Sequence, residues 1–267
     1  VTPSDKELRR LELFPTPPWA TRALFEFVLP MIYGERGPIR IESCREPAAG
    51  LGHMAETIKE YCAHVLMSDV ADYPLEDGSR MSEHGLVVED FVDASDETSA
   101  EGCEWYITNP PFKETEEFLR RALKLASRGV ALLQKQTFQT GGERYREVYV
   151  ESPPDLVAQF AERVPMCLGG YDPRASSDMD YAWFIWLTPG ERRLFCNWLN
   201  QRRVNAPTGW LDVLLIPPGQ REAYFRERDL ELAEKRRLPG WIPNQKIRKL
   251  RRLIHAERDA RMMGGKS

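Results

Sequence analysis

The stretch Asn109-Pro110-Pro111-Phe112 carries the most specific chemistry in the chain. An aromatic amine such as N6 of adenine is a poor nucleophile, because its lone pair is delocalised into the ring. Two acceptors aimed at its hydrogens, the Asn109 side-chain oxygen and the Pro110 carbonyl, would draw the nitrogen toward tetrahedral geometry and free that lone pair for in-line attack on an activated methyl group. Pro110 and Pro111 stiffen the backbone that holds them. Phe112 offers a face for a base turned out of its stack, a contact worth about 1 to 3 kcal/mol. No strong general base is required, since the proton becomes acidic once the nitrogen bears the methyl group. The same four residues would also suit a plain turn with Phe112 in the core, so their surroundings decide.

A second constellation lies upstream, in Glu46-Pro47-Ala48-Ala49-Gly50-Leu51-Gly52. Gly50 and Gly52 have no Cβ and admit positive φ, so a ligand can approach the backbone closely. Asp69 follows 19 residues after Gly50, at the end of a short apolar run, where its carboxylate can accept both hydroxyls of a ribose. Gly52 is followed by His53-Met54-Ala55, so the third glycine of the pyrophosphate fingerprint is missing and NAD or FAD is disfavoured. S-adenosylmethionine, which has an adenosine but no phosphate, suits the pattern better.

The elements that must position these residues alternate. Apolar spacing predicts a helix from Trp19 to Leu29, a strand at Ile39–Ser43, the glycine turn, and a helix to about Tyr61. Strands follow at His64–Ser68, Leu86–Glu89 and Trp105–Thr108, the last delivering Asn109. Phe118, Leu119, Ala122, Leu123 and Ala126 line one face of a further helix, which Gly129 is expected to stop. Val130–Leu133 and Tyr181–Leu187 read as the later strands. This order predicts a mainly parallel sheet covered on both faces, with ligands at the carboxyl ends of its strands.

On these motifs the chain resembles the class I methyltransferases, and within them the amino-methylating enzymes with an Asn-Pro-Pro-Phe/Tyr motif. Phe14-Pro15-Thr16-Pro17-Pro18 is similar to the Thr-Pro segment that opens the gamma arrangement of adenine-N6 DNA enzymes, with small phage and prophage enzymes sharing the layout. The resemblance covers about residues 12 to 190. It implies a Rossmann-like α/β fold with a seven-stranded sheet, S-adenosylmethionine as cofactor, and Asn109, Pro110, Pro111 and Phe112 as the catalytic turn. Thr16, Pro17, Glu46, Pro47, Ala48, Gly50, Gly52, Asp69 and Val70 would bind the cofactor together with Asn109, while Asp90 and Phe91 would flank its adenine. It implies DNA as the substrate; RNA adenine, cytosine N4 and a protein glutamine amide are rivals, as is a non-catalytic nucleic-acid-binding module.

No long segment resembles a separate target-recognition domain, so the grip on nucleic acid falls to basic candidates. Lys113, Arg144, Tyr145 and Arg146 are assigned to the substrate, the last three in a glycine-bearing loop suited to stacking and phosphate contact or to simple solvation. Residues 191–267 hold 18 Lys/Arg against 9 Asp/Glu, within a chain of net charge -4. Domains are therefore expected at 1–190, catalytic, and 191–267, a basic extension whose helix from about Asn244 to Met262 carries Lys246, Arg248, Lys249, Arg251 and Arg252.

The five cysteines are scattered without a Cys-x-x-Cys pair and read as reduced core thiols. His53, His64, His84 and His255 lack metal-ligand spacing, and no metal is expected. No apolar run approaches the roughly 20 residues of a membrane span, and the first residues lack signal-peptide blocks, which gives a cytoplasmic expectation.

Overall fold

The computed structural model describes residues 3–94, 102–177, 179–202 and 212–243. The basic helix expected at 244–262 lies outside them. In chain order the elements are α1 (Asp5–Arg10), α2 (Pro18–Ala23), which passes through a π turn into α3 (Leu29–Tyr33), β1 (Ile41–Glu46), α4 (His53–Ile58), β2 (Cys62–Asp69), β3 (Leu86–Val88) and β4 (Trp105–Thr108). There follow α5 (Thr115–Leu125), β5 (Gly129–Lys135), α6 (Gly142–Arg144), β6 (Leu156–Phe160), β7 (Tyr181–Leu187), α7 (Pro189–Arg202), β8 (Asp212–Ile216), α8 (Gln220–Tyr224) and α9 (Arg228–Lys235).

The strands form one sheet in the order β3-β2-β1-β4-β5-β7-β6-β8. β1 to β5 run parallel, and β7 is antiparallel to both β5 and β6. The sheet has eight strands where seven were expected, because β8 adds to the β6 edge in parallel. The chain order reverses direction across the sheet between β1 and β4, and a crevice opens there at the carboxyl ends of the strands.

β7 shows why the sheet is buried on both faces. Tyr181, Trp183, Ile185 and Leu187 join the core under α2, α3 and α4, whereas Ala182, Phe184 and Trp186 join the core under α5 with Phe118, Leu119 and Ala122. Trp183 also donates its indole N–H to the Ala20 carbonyl at 3.0 Å. A run of apolar residues without polar interruption therefore fits a central strand.

Two details differ from the sequence expectation. α5 ends at Leu125, and Gly129 is the first residue of β5 and not a helix stop. A Cβ on Gly129 would come within 2.8 Å of the Trp105 ring, so the glycine serves strand packing. Beyond residue 190, β8 joins the sheet and α9 meets α2. Arg22 of α2 is fully buried, with its guanidinium 2.7 Å from both Glu60 and Asp229, the latter on α9. A buried guanidinium needs such partners, since an unpaired charge inside a protein is very costly. Cys44, Cys62 and Cys103 are buried and Cys167 is half-buried, none of them in a disulfide. Among the described residues no helix is long and apolar enough to cross a membrane.

Candidate active site

A cavity of about 420 Å³ lies at the switch point between β1 and β4. One wall is the loop from β1 to α4. Glu46, Pro47, Ala48 and Gly50 line it, and Gly50 takes φ 53° with the Leu13 side chain only 2.7 Å from where a Cβ would stand. Gly52 (φ 75°) caps α4 but packs against Met81, away from the cavity.

Asp69, Val70, Asp90 and Phe91 form the wall at the ends of β2 and β3. Asp69 accepts the Gly50 N–H at 2.8 Å on one oxygen and the Ala71 N–H at 3.0 Å on the other. The Tyr73 hydroxyl is a further hydrogen-bond partner of this carboxylate. Burial pushes the Asp69 carboxyl up to about 6 despite those bonds. Glu46 is raised as well, first by burial and then by the Asp69 charge, and its Oε2 is buried without a hydrogen-bond partner. Asp90 accepts the Val92 N–H at 3.0 Å. Phe91 belongs to the core as much as to the cavity: it is 1% exposed, packs on Tyr106 and Phe118, and has the Arg45 and Arg121 guanidiniums 5.4 and 5.5 Å from its ring centre.

The third wall joins the strap of residues 10–16 to the turn after β4. Thr16, Asn109, Pro111 and Lys113 line the cavity; Pro17 and Pro110 do not. Asn109 donates through Nδ2 to the Phe14 carbonyl at 3.2 Å and to Thr16 Oγ1 at 3.3 Å. A carbonyl can only accept, so these bonds fix which way the amide is turned. Its Oδ1 is then buried with no partner, a state that costs free energy until a donor arrives. The Pro110 carbonyl, the other expected acceptor, takes a 3.3 Å bond from Gln134 Nε2.

Phe112 is half-buried near Phe14 and Tyr181, and the Lys135 ammonium sits 3.9 Å from its ring centre. One face of the ring expected to receive a base is therefore covered by a cation. Arg144, Tyr145 and Arg146 stand apart from the cavity. Arg144 pairs with Glu116 at 3.2 Å and lies over Phe138, which gives it a packing role. Tyr145 is 63% exposed.

Several lining residues were not assigned from sequence. Glu12, Tyr73 and His53 all line the cavity. His53 is buried with neither ring nitrogen hydrogen-bonded, and burial pushes it down to about 3, so its imidazole is neutral. Its place directly after Gly52 was the available signal.

The strand order and the cavity at its switch point are those of a Rossmann-like α/β fold. Solved structures of similar trace include a Pyrococcus horikoshii protein provisionally named an RNA methyltransferase, at 15% identity over 70% of this chain and 92% of that one, TM-score 0.47. An N-methyltransferase from Bradyrhizobium japonicum WM9 matches at 13% identity over 69% and 98%, TM-score 0.39. Magnesium protoporphyrin IX methyltransferase from Synechocystis PCC 6803, solved with its methyl donor bound, matches at 11% over 56% and 70%, TM-score 0.35. No protein-family model and no curated protein matches the sequence. The fold assignment accordingly rests on the sheet itself.

Proposed function

We propose that the chain is an S-adenosylmethionine-dependent methyltransferase acting on the exocyclic amine of a nucleic-acid base, with adenine N6 of DNA as the target. The observation that carries this reading is the Asn109 amide: anchored through Nδ2, it leaves Oδ1 buried and unpartnered beside a cavity whose other walls suit an adenosine.

The residues present fit the cofactor. Asp69 is an acceptor that a ribose hydroxyl can reach by taking the place of the Tyr73 hydroxyl, Val70 is an exposed apolar surface on the wall, and the unpartnered Glu46 oxygen is an acceptor for an ammonium group. Gly50, with no Cβ, lets Leu13 pack against the cofactor-side loop. Bound there, S-adenosylmethionine supplies a sulfonium methyl group. Asn109 Oδ1 accepts one amine hydrogen, and the second lone pair of the Pro110 carbonyl is available for the other. Both draw electron density onto the nitrogen as it becomes a nucleophile. Phe112 carries the base once Lys135 moves from its ring. DNA is favoured over RNA by the motif order of the gamma-type enzymes, and the basic residues 191–267 supply charge for a polyanion.

Purified protein given cofactor with a labelled methyl group should label nucleic acid. Digestion of the product with DNase or RNase identifies the polymer, and mass spectrometry of its nucleosides identifies the nitrogen. Asn109→Ala should lose transfer yet still bind cofactor in calorimetry; a variant that turns over like the parent would remove Asn109 from the mechanism. Nucleic acid bound without any methyl transfer would favour the non-catalytic module.

A further inference from the structure

Glu12 is the one residue other than glycine with positive φ among the described residues, at 51°. It stands immediately past α1, where Leu11 is the cap and the Leu13 N–H reaches back 3.1 Å to the Leu8 carbonyl. That bond is the six-to-one closure of a Schellman stop, and the residue in Glu12's place is normally glycine because a Cβ crowds the backbone there. If ending the helix were the only task, glycine would do it with less strain.

The glutamate has a second task. Its carboxylate accepts the backbone N–H of Phe112. It also faces the Phe112–Tyr181 ring pair: burial first, and then the Glu12 charge, push the Tyr181 hydroxyl up. Two residues further on, the Phe14 carbonyl takes the Asn109 amide, and two further again Thr16 Oγ1 takes it too. Alternate residues 12, 14 and 16 thus tie the strap to the turn, and all of residues 10 to 16 line the cavity. Cavity wall and acceptor turn form one hydrogen-bonded unit, with the strained residue at its far end.

We propose that Glu12 is a positioning residue: by holding the Phe112 amide it fixes the turn so that the Asn109 oxygen meets the amine to be methylated. This rests on the amine-methylating reading of the site. The Phe112 bond, however, is readable without any turnover.

The test uses the full chain with Glu12→Gln, which keeps a neutral acceptor, and Glu12→Gly, which removes the acceptor and relieves the backbone. Amide hydrogen exchange at Phe112, followed by NMR, should stay slow in the parent and in Glu12→Gln and speed up in Glu12→Gly. At saturating substrate, Glu12→Gly should lower kcat about ten- to a hundredfold, the scale of a misplaced reacting group, while the cofactor Kd stays within about threefold. Its Tm should not fall, and Glu12→Gln should restore most of kcat. Unchanged Phe112 exchange in Glu12→Gly overturns the inference, as does parental kcat, or a fall in kcat that Glu12→Gln shares in full. A parent that methylates no nucleic acid would instead sink the functional reading and leave the exchange result to judge Glu12.

Discussion

The two ends of the cavity are built on opposite plans. At the end formed by β1 and β2, Glu46 and Asp69 are buried carboxyls raised by desolvation, and Glu46 Oε2 has no partner. Polar capacity is held there unspent, as befits a pocket shaped before its ligand arrives. At the β4 and β5 end the chain has filled the positions itself. Gln134 bonds the Pro110 carbonyl, Lys135 covers the Phe112 ring and Glu12 takes the Phe112 N–H. Asn109 Oδ1 is the acceptor of that turn left wholly without a partner. One end keeps a buried acceptor free of side-chain partners; the other has most of its positions taken by the chain's own side chains.

That contrast can be broken most decisively at Asn109. Asn109→Ala should lower kcat about 10² to 10³-fold, the usual effect of deleting one preorganised transition-state hydrogen bond, with the cofactor Kd unchanged in calorimetry. A matching loss of cofactor affinity would mean that the two ends are one site. Asp69→Ala should act in the opposite sense, weakening cofactor binding about ten- to a hundredfold through lost charge-assisted hydrogen bonds, with little effect on kcat at saturating cofactor.

The pH dependence sharpens the same point. With Asp69 near 6 in the free protein, its carboxylate is ionised above that value and is the stronger acceptor for a ribose hydroxyl. Below it the added proton must leave on binding, so cofactor affinity should decline by up to about tenfold per pH unit. Calorimetry between pH 5 and 8 checks this; in Asp69→Asn the decline should flatten, leaving only the contribution of Glu46.

The smallest effect is expected at the occupied end. Lys135→Gln removes the cation from Phe112 and with it about 0.5 to 1 kcal/mol of competition for the ring. At high salt, where attraction to phosphate is screened, fluorescence of 2-aminopurine at the target position should report base entry a few-fold more favourable than in the parent. Unchanged or weaker entry would show that Lys135 stays on the ring when the base is bound.

Most of the parallel half of the sheet was legible in the sequence, because β2, β3 and β4 are short apolar runs closed by an acid or by Asn109. The glycine turn, Asp69 and Asn109 were legible for the same reason, and the structure brings them to one cavity. β6 and β8 were not. Leu156–Phe160 and Asp212–Ile216 are five-residue runs in polar surroundings, and only pairing with β7 and with each other makes them strands. Glu12 was hidden because its conformation belongs to glycine in the usual pattern. The covering of Phe112 by Lys135 was hidden because it depends on the register that sets Lys135 opposite Tyr181, a relation no local motif records.

The Arg22 cluster bears on how small this protein can be made. A polypeptide cut near residue 190 would keep every motif by which the chemistry was found, yet it would strand a guanidinium in the interior beside Glu60 alone and strip β6 of its outer neighbour. Asp229 and β8 thus supply partners to the preceding two thirds of the chain, and a minimal version would have to replace both.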